Sequence, residues 1–334
     1  MNNSYEIDVV ILWVDGSDEK WREKKNKHDI REHALDENRF QDWGTLKFVL
    51  RGIETFMPWV RKIHLVTEGH IPGWLKKSSK LNHITHEMFF KDKSDLPTFN
   101  SNAIELNLGW LECLSEHFIL FNDDMFVLKP CEKERFFKNG LPVDFFVQSI
   151  SREGHLYRIL KGKPEYNEML VNNISTINKL YVKQNIKDWQ LFSKNYSLLS
   201  NLLNLFFKVQ SPNKIPWINT YHHPQAHLKS TFIKIWEKEE KFRNTSKKRF
   251  RTNKDLTHWL CRFVNLIEGD FYPFEFSDHQ SIYYREINDL QKIKDSTTFL
   301  CVSDDVTDEF SMLSEALAKY LSKILPKTSS FEKN

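Results

Sequence analysis

Apolar and polar positions follow two rhythms along this chain. In the first 150 residues, short apolar runs alternate with segments of helical spacing. Residues 7–14 form a β-branched run that ends in Asp15-Gly16-Ser17, which predicts a buried parallel strand and a turn. The charged stretch 18–33 predicts a helix. Over 44–56, Leu46, Val49, Leu50 and Ile53 recur at helical spacing, and Pro58 ends that helix. Residues 62–67 predict a second strand, closed by Glu68-Gly69, and 83–85 a short third. Ile104, Leu108, Leu111 and Cys113 predict a helix over 102–114. The run 118–121 predicts a fourth strand that leads directly into Asn122-Asp123-Asp124, and 125–128 stays extended until Pro130. This alternation predicts an α/β sheet with a nucleotide site at the carboxyl ends of its strands.

The second half reads mostly as helix, over 165–182, 188–207, 228–242, 255–269 and 309–324, with a late strand at 299–302 that rejoins the sheet. The expected organisation is an α/β nucleotide-binding part over 1–150, a helical insertion over 151–210, a catalytic completion over 211–325 and a frayed tail over 326–334.

Composition narrows the classes. The chain has 334 residues, 40% apolar and 28% charged, which fits a packed protein and not a disordered one. Its 26 Phe and 10 Trp fill a core and can also stack on sugars and nucleobases. A net charge of +3 implies no nucleic-acid partner. The basic run Lys247-Lys248-Arg249-Phe250-Arg251 reads as a solvated helix end or as a contact for phosphate or an anionic membrane. The four cysteines have no CxxC spacing, so neither a zinc site nor a disulfide framework is expected, and a cytoplasmic location fits. The start of the chain does not read as a signal peptide. No run is long enough to span a bilayer. The apolar stretch 198–207 can lie on a membrane surface, although a buried helix is the stronger reading.

Four clusters could carry chemistry. Trp13 to Asp18 sits at a strand end, where Gly16 allows close backbone approach and Asp15 stands where a ribose or uracil partner would. Arg39 to Gly44, with Asp42, is followed by Arg51; guanidinium forks bind phosphate oxygens or form salt bridges. Glu105 with Asp123 and Asp124 supplies acids that could hold a divalent ion against a diphosphate, or merely form a turn. Tyr221 to His227 holds His222, His223 and His227, with Arg251 and Asp255 further on; a histidine base suits neutral pH.

In order, these blocks resemble the Stealth family of capsular and exopolysaccharide phosphotransferases. The resemblance runs through Ile7 to Asp18, Arg39 to Gly44, Leu50 to Glu54, Pro58 to Ile63, Ile71 to Leu75, Phe99 to Glu105, Phe118 to Phe126, Tyr221 to Ser230 and Arg251 to Asp255. Cys301 to Asp305 closes the series. Trp43, Lys47 and Ser303 depart from the family's usual residues. With the resemblance, the expected fold is a Rossmann-like or GT-A-like mixed sheet flanked by helices, with a helix-rich second half. The resemblance implies transfer of a hexose-1-phosphate, or N-acetylhexosamine-1-phosphate, from a UDP-sugar to a glycan hydroxyl with release of UMP. It implies Mg2+ or Mn2+ as cofactor and a sugar hydroxyl as acceptor, on an oligosaccharide or a lipid-linked glycan, while the basic run and the apolar stretch 198–207 permit peripheral docking at the cytoplasmic face of the inner membrane. Glu105, Asp124, His222 and Arg251 match positions used in catalysis. Trp13, Asp15, Gly16, Arg39, Asp42, Arg51 and Asn102 are candidates for the donor, and Asp123 and Asp124 for the metal. His223, His227, Asp255 and Asp304 are secondary candidates. The rival readings are a glycosyltransferase that releases UDP and a non-catalytic assembly protein.

Overall fold

The computed structural model describes residues 5–29, 40, 42–152, 165–304 and 309–333, with the backbone alone at 165, 166 and 304. Along the chain the strands are β1 (Ile7–Leu12), β2 (Ile63–Thr67), β3 (Leu81–Thr85), β4 (His117–Asn122), β5 (Met125–Val127), β6 (Phe137–Lys138), β7 (Leu141–Asp144), β8 (Gln225–Leu228), β9 (Tyr272–Pro273), β10 (His279–Tyr284) and β11 (Phe299–Asp304). The main sheet has five strands in the order β3-β2-β1-β4-β8. Its first four strands are parallel, and β8 closes the edge antiparallel to β4. The class is the expected α/β, a parallel-rich sheet flanked by helices.

The apolar runs give this sheet two buried faces. Val9 and Ile11 of β1 and Ile119 and Phe121 of β4 enter one core. Val10, Phe118 and Leu120 point into the other. Helix α1 (Glu19–His28) is capped by Asp18, whose carboxylate accepts from the Trp21 N–H. Helix α2 (Leu46–Phe56) covers the first core. A Cβ at its Gly52 would meet the Val127 carbonyl oxygen at 2.7 Å, so glycine is what lets α2 approach β5. The second core is covered by helices of the second half, including Glu165–Leu180 and Trp259–Glu268, which share it with β1 and β4.

One polar group inside the sheet is held by charge. Asp8 is fully buried in β1. Arg61 donates to both of its oxygens, at 2.8 and 2.5 Å, and His64 Nε2 and the Ser115 N–H reach it at 3.0 and 2.9 Å. Burial alone would raise its carboxyl, but these partners outweigh it and hold the group at about 2.

Several expectations change in detail. The helix expected over 102–114 is Ser101–Leu106 followed by a 3-10 turn, Leu108–Trp110. The stretch 188–207 breaks into Asp188–Leu191 and Leu198–Gln210, because Ser197 caps the second helix by accepting from the Ser200 N–H. The stretch 228–242 divides into Lys229–Lys238 and Glu240–Ser246. The late strand β11 does not rejoin the main sheet. It pairs parallel to β10 and antiparallel to β5 in a separate three-stranded sheet.

The tail also departs from expectation: it is docked. Phe331 is fully buried, and the Lys76 N–H donates to its carbonyl at 2.7 Å. Arg51 forms a two-pronged bridge to Glu332 at 2.7 and 2.6 Å and also donates to the Leu325 carbonyl. Both ends of that bridge are nearly buried, with side-chain exposures of 11% and 9%. Removing one partner leaves the other charge stranded, so Arg51→Ala should lower the unfolding free energy by about 3 kcal/mol in urea titrations. Its donor KM, measured below the unfolding transition, should stay close to that of the wild type.

Candidate active site

β2 and β3 lie on one side of β1 and β4 on the other, so the strand order turns at β1, and the adjoining carboxyl ends of β1 and β4 stand where such sheets hold ligands. A cavity of about 410 Å³ opens there. Trp13 and Val14 line it from the end of β1, and Asn122, Asp123 and Asp124 from the end of β4. Its other walls carry Ser101 and Glu105 of the helix Ser101–Leu106, then Phe250 and Arg251. Aromatic rings complete it: Phe99 stacks on Phe250 at 5.4 Å, and Trp21 meets Phe99 edge-on at 5.6 Å and Phe40 at 4.8 Å. Such walls suit a flat base or a sugar ring.

The acid side of the cavity is a junction between sheets. Asp123-Asp124 is the turn by which the chain leaves β4 and enters β5. β11 pairs with β5 and brings Cys301 opposite Met125, and the Val302 N–H donates to the Asp124 carbonyl at 3.0 Å. Cys301 Sγ lies 3.6 Å from Asp124 Oδ2 and 3.0 Å from His222 Nδ1. Asn122 Nδ2 lies 3.5 Å from His222 Nε2. Asp124, His222 and Cys301 each offer one donor atom within 4.8 Å of the others, a spacing compatible with one metal ion. Burial, and then the charge of Asp124, push the Cys301 thiol well above its ordinary range. The thiol serves as a donor towards Asp124. The carboxylates remain as hard oxygen ligands, which fit Mg2+ or Mn2+.

Glu105 is buried in the cavity wall. Desolvation pushes its carboxyl up to about 7, against the opposing pull of Arg251 and a bond from the His258 backbone. His86, another buried lining residue, is held by burial at about 3, so it is neutral. Its Nδ1 has no hydrogen-bond partner among the described residues.

Arg251 is positioned by an acid beneath it. Asp255 is fully buried. It accepts from Asn100 at 2.9 Å, Asn102 at 3.4 Å, Lys248 at 2.7 Å, and the Thr252 N–H and hydroxyl at 3.1 and 2.6 Å. The segments themselves are tied: the Phe99 N–H donates to the Arg249 carbonyl and the Thr98 hydroxyl to that of Lys248. Arg251 then donates to the Ser101 hydroxyl on the cavity wall. Asn102 and Asp255 are therefore supports behind the wall. The basic run packs against Thr98–Asn100 and presents Phe250 and Arg251 to the cavity.

The other candidates divide. Asp42 accepts from Trp13 Nε1 at 3.4 Å and so orients a wall residue. Asp15 holds Ser17 through its carboxylate, and its N–H donates to His70 Nε2. A Cβ at Gly16 would sit 2.2 Å from the Phe40 carbonyl oxygen, so glycine lets the two loops meet. Arg51, expected at the donor phosphates, is engaged by Glu332 and does not line the cavity. His223 and His227 are buried away from it; His223 Nδ1 lies 2.7 Å from its neighbour's carbonyl, and His227 Nε2 lies 3.0 Å from His258 Nδ1. Arg39 and the side chain of Asp304 lie outside the described residues. Cys301, His86 and the rings Trp21, Phe99 and Phe250 were missed as site residues. Cys301, Phe99 and Phe250 stood within segments singled out above, but nothing in the sequence showed that these side chains meet Trp21 in one wall.

Comparison with known proteins gives the family. Residues 5–29 match Stealth protein conserved region 1, and residues 39–143 match conserved region 2. The chain is 35% identical over 347 aligned residues to the capsular polysaccharide phosphotransferase WcwK of Streptococcus pneumoniae, covering 100% of both. It is 33% identical to the exopolysaccharide phosphotransferase cps2G of Lactiplantibacillus plantarum, covering 98% of this chain and 97% of that one. It is 31% identical to the receptor polysaccharide phosphotransferase WefC of Streptococcus gordonii, covering 98% of each.

Glu105 makes stability depend on pH. Its folded value, about 7, lies above the ordinary 4.5, so its contribution is full below pH 4.5 and is lost as pH rises through 7. Glu105→Gln does not titrate. Its unfolding free energy relative to wild type should therefore rise by a few kcal/mol between pH 5 and pH 8 in urea titrations. An unchanged difference would mean that Glu105 ionises normally.

Proposed function

This chain belongs to the Stealth family of polysaccharide phosphotransferases, and from that premise we propose that it moves a hexose-1-phosphate from a UDP-sugar to a hydroxyl of a capsular or exopolysaccharide glycan, releasing UMP. N-acetylhexosamine-1-phosphate is the alternative cargo. The observation that carries the reading is one cavity that joins Arg251, Glu105 and the Asp123-Asp124 turn under aromatic walls. Phosphoryl transfer needs in-line positioning and charge neutralisation more than covalent chemistry, and these are the groups that supply both.

In this mechanism the aromatic walls hold the uridine by stacking, with neutral His86 as a polar handle. The acceptor hydroxyl attacks the phosphorus that bears the sugar. A new oxygen–phosphorus bond forms, the bridge to the uridylyl phosphorus breaks, and the electron pair leaves with UMP. Glu105 takes the hydroxyl proton, since a carboxyl near 7 is matched to neutral pH. Arg251 neutralises charge on the phosphoryl oxygens. Cys301 donates towards the Asp124 carboxylate and is itself in contact with His222. Asp123 and Asp124 would hold a Mg2+ or Mn2+, which when bound offsets the charge of the diphosphate. The sugar's own carbon–oxygen bond stays intact, so its anomeric configuration is retained. The acceptor in this reading is an oligosaccharide or a lipid-linked glycan at the cytoplasmic face of the membrane.

The test is the nucleotide released. With magnesium, a panel of UDP-hexoses and a glycan acceptor, UMP should appear only when the acceptor is present. UDP in its place would make the protein a glycosyltransferase. Arg251→Ala should lower kcat/KM at least tenfold, in line with the roughly 2–4 kcal/mol that one charge-stabilising contact supplies. Turnover close to wild type would remove Arg251 from the mechanism.

A further inference from the structure

The 13-residue helix Leu198–Gln210 buries polar Ser200 and Asn204 and leaves most of its apolar residues outside. Ser200, Asn204 and Phe207 are its buried positions. Leu198, Leu199, Leu202, Leu205, Phe206 and Val209 form one stripe at helical spacing, and each is between 52% and 76% exposed.

This orientation is fixed by specific bonds. The Asn204 carboxamide accepts from the Gln148 N–H at 2.7 Å and donates to the Phe146 and Leu191 carbonyls at 2.7 and 2.6 Å. The Ser200 hydroxyl donates to Glu275 at 2.7 Å. At the far end, the buried Lys183 ammonium donates to the carbonyls of Phe207, Ser211 and Lys214 at 2.9, 2.7 and 3.2 Å. Turning the helix over would leave all of these buried groups without partners. The outward stripe is thus a built feature, roughly 20 Å long at the helical rise. Contiguous apolar surface of this kind marks an interaction site.

The charge around the stripe selects the occupant. From 189 to 214 the sequence has Lys194, Lys208 and Lys214 but no Asp or Glu, and all three lysines are exposed. Two acids meet this helix and both are engaged: Asp188 pairs with Lys208 at 2.5 Å, and Glu275 accepts from the Ser197 N–H and the Ser200 hydroxyl. An apolar stripe on one helix, with exposed Lys194 before it and Lys214 after it in the chain, matches the boundary between headgroups and acyl chains of an anionic bilayer. We propose that Leu198–Gln210 is an in-plane membrane anchor that lays this stripe into an anionic lipid surface. The proposal does not depend on which group the enzyme transfers.

The test is flotation of the full chain with vesicles of phosphatidylcholine, with and without phosphatidylglycerol. Wild type should float with the phosphatidylglycerol vesicles, and less so at high salt. Leu202→Glu with Phe206→Glu should lower the floated fraction by about tenfold or more, since charge replaces apolar anchors. Lys194→Glu with Lys214→Glu, which leaves the stripe intact, should abolish the preference for anionic vesicles. Both variants should keep the wild-type unfolding midpoint and UMP release with a soluble acceptor. Wild type remaining at the bottom of the gradient would overturn the proposal, as would variants that float like wild type. So would a dimer in sedimentation velocity that Leu202→Glu with Phe206→Glu dissociates, if wild type binds no vesicles; the stripe would then be a contact between two copies.

Discussion

β1 has a parallel neighbour on each side, and Asp8 near its start ties all three strands together. Its carboxylate is reached by His64 of β2, by Arg61 just before β2 and by Ser115 just before β4. The strands are thereby gathered at their amino ends. At their carboxyl ends the chain departs in opposite directions, and a crevice follows from the topology. Trp13 and the Asp123-Asp124 turn belong to the same cavity because β1 and β4 are neighbours in full register, from Ile7 opposite His117 to Leu12 opposite Asn122.

The second half of the chain completes that cavity. Arg251 sits far from the sheet in sequence, and its place is set by Asp255, which gathers Asn100, Asn102, Lys248 and Thr252 around one buried carboxylate. A buried charge is costly unless it is paired and hydrogen-bonded. Here the pairing brings the chain around residue 250 against the chain around residue 100, and so sets Arg251 beside Glu105. The small sheet of β5, β10 and β11 acts in a similar way on the other wall, carrying Cys301 to Asp124. The tail fastens outside all of this, through Arg51 and Glu332.

Much of the first half was legible in the sequence because a buried strand leaves a short apolar, β-branched run. The ends of β1 and β4 and the acids beyond β4 could be read directly. What could not be read were the partners of polar residues. Arg51 looked like a phosphate ligand, but the outcome depended on Glu332 at the other end of the chain. His223 and His227 belonged to a conspicuous cluster, yet strand β8 and its neighbours bury both away from the cavity. The 188–207 stretch had helical spacing throughout, but Ser197 as a cap split it, and the surviving helix turned its apolar side outwards because Asn204 and Ser200 found buried partners. Periodicity reports which residues share a face of a helix; it does not report which face meets the protein.

The central claim is that the phosphorus next to the sugar moves with it. The most direct measurement uses a UDP-sugar labelled with radioactive phosphorus at the β position, followed by separation of the glycan from free nucleotides. Sugar-phosphate transfer predicts that the label enters the glycan and stays there after phosphatase treatment, as a phosphodiester. Label recovered in UDP, with an unlabelled glycan that has gained the sugar alone, would contradict it.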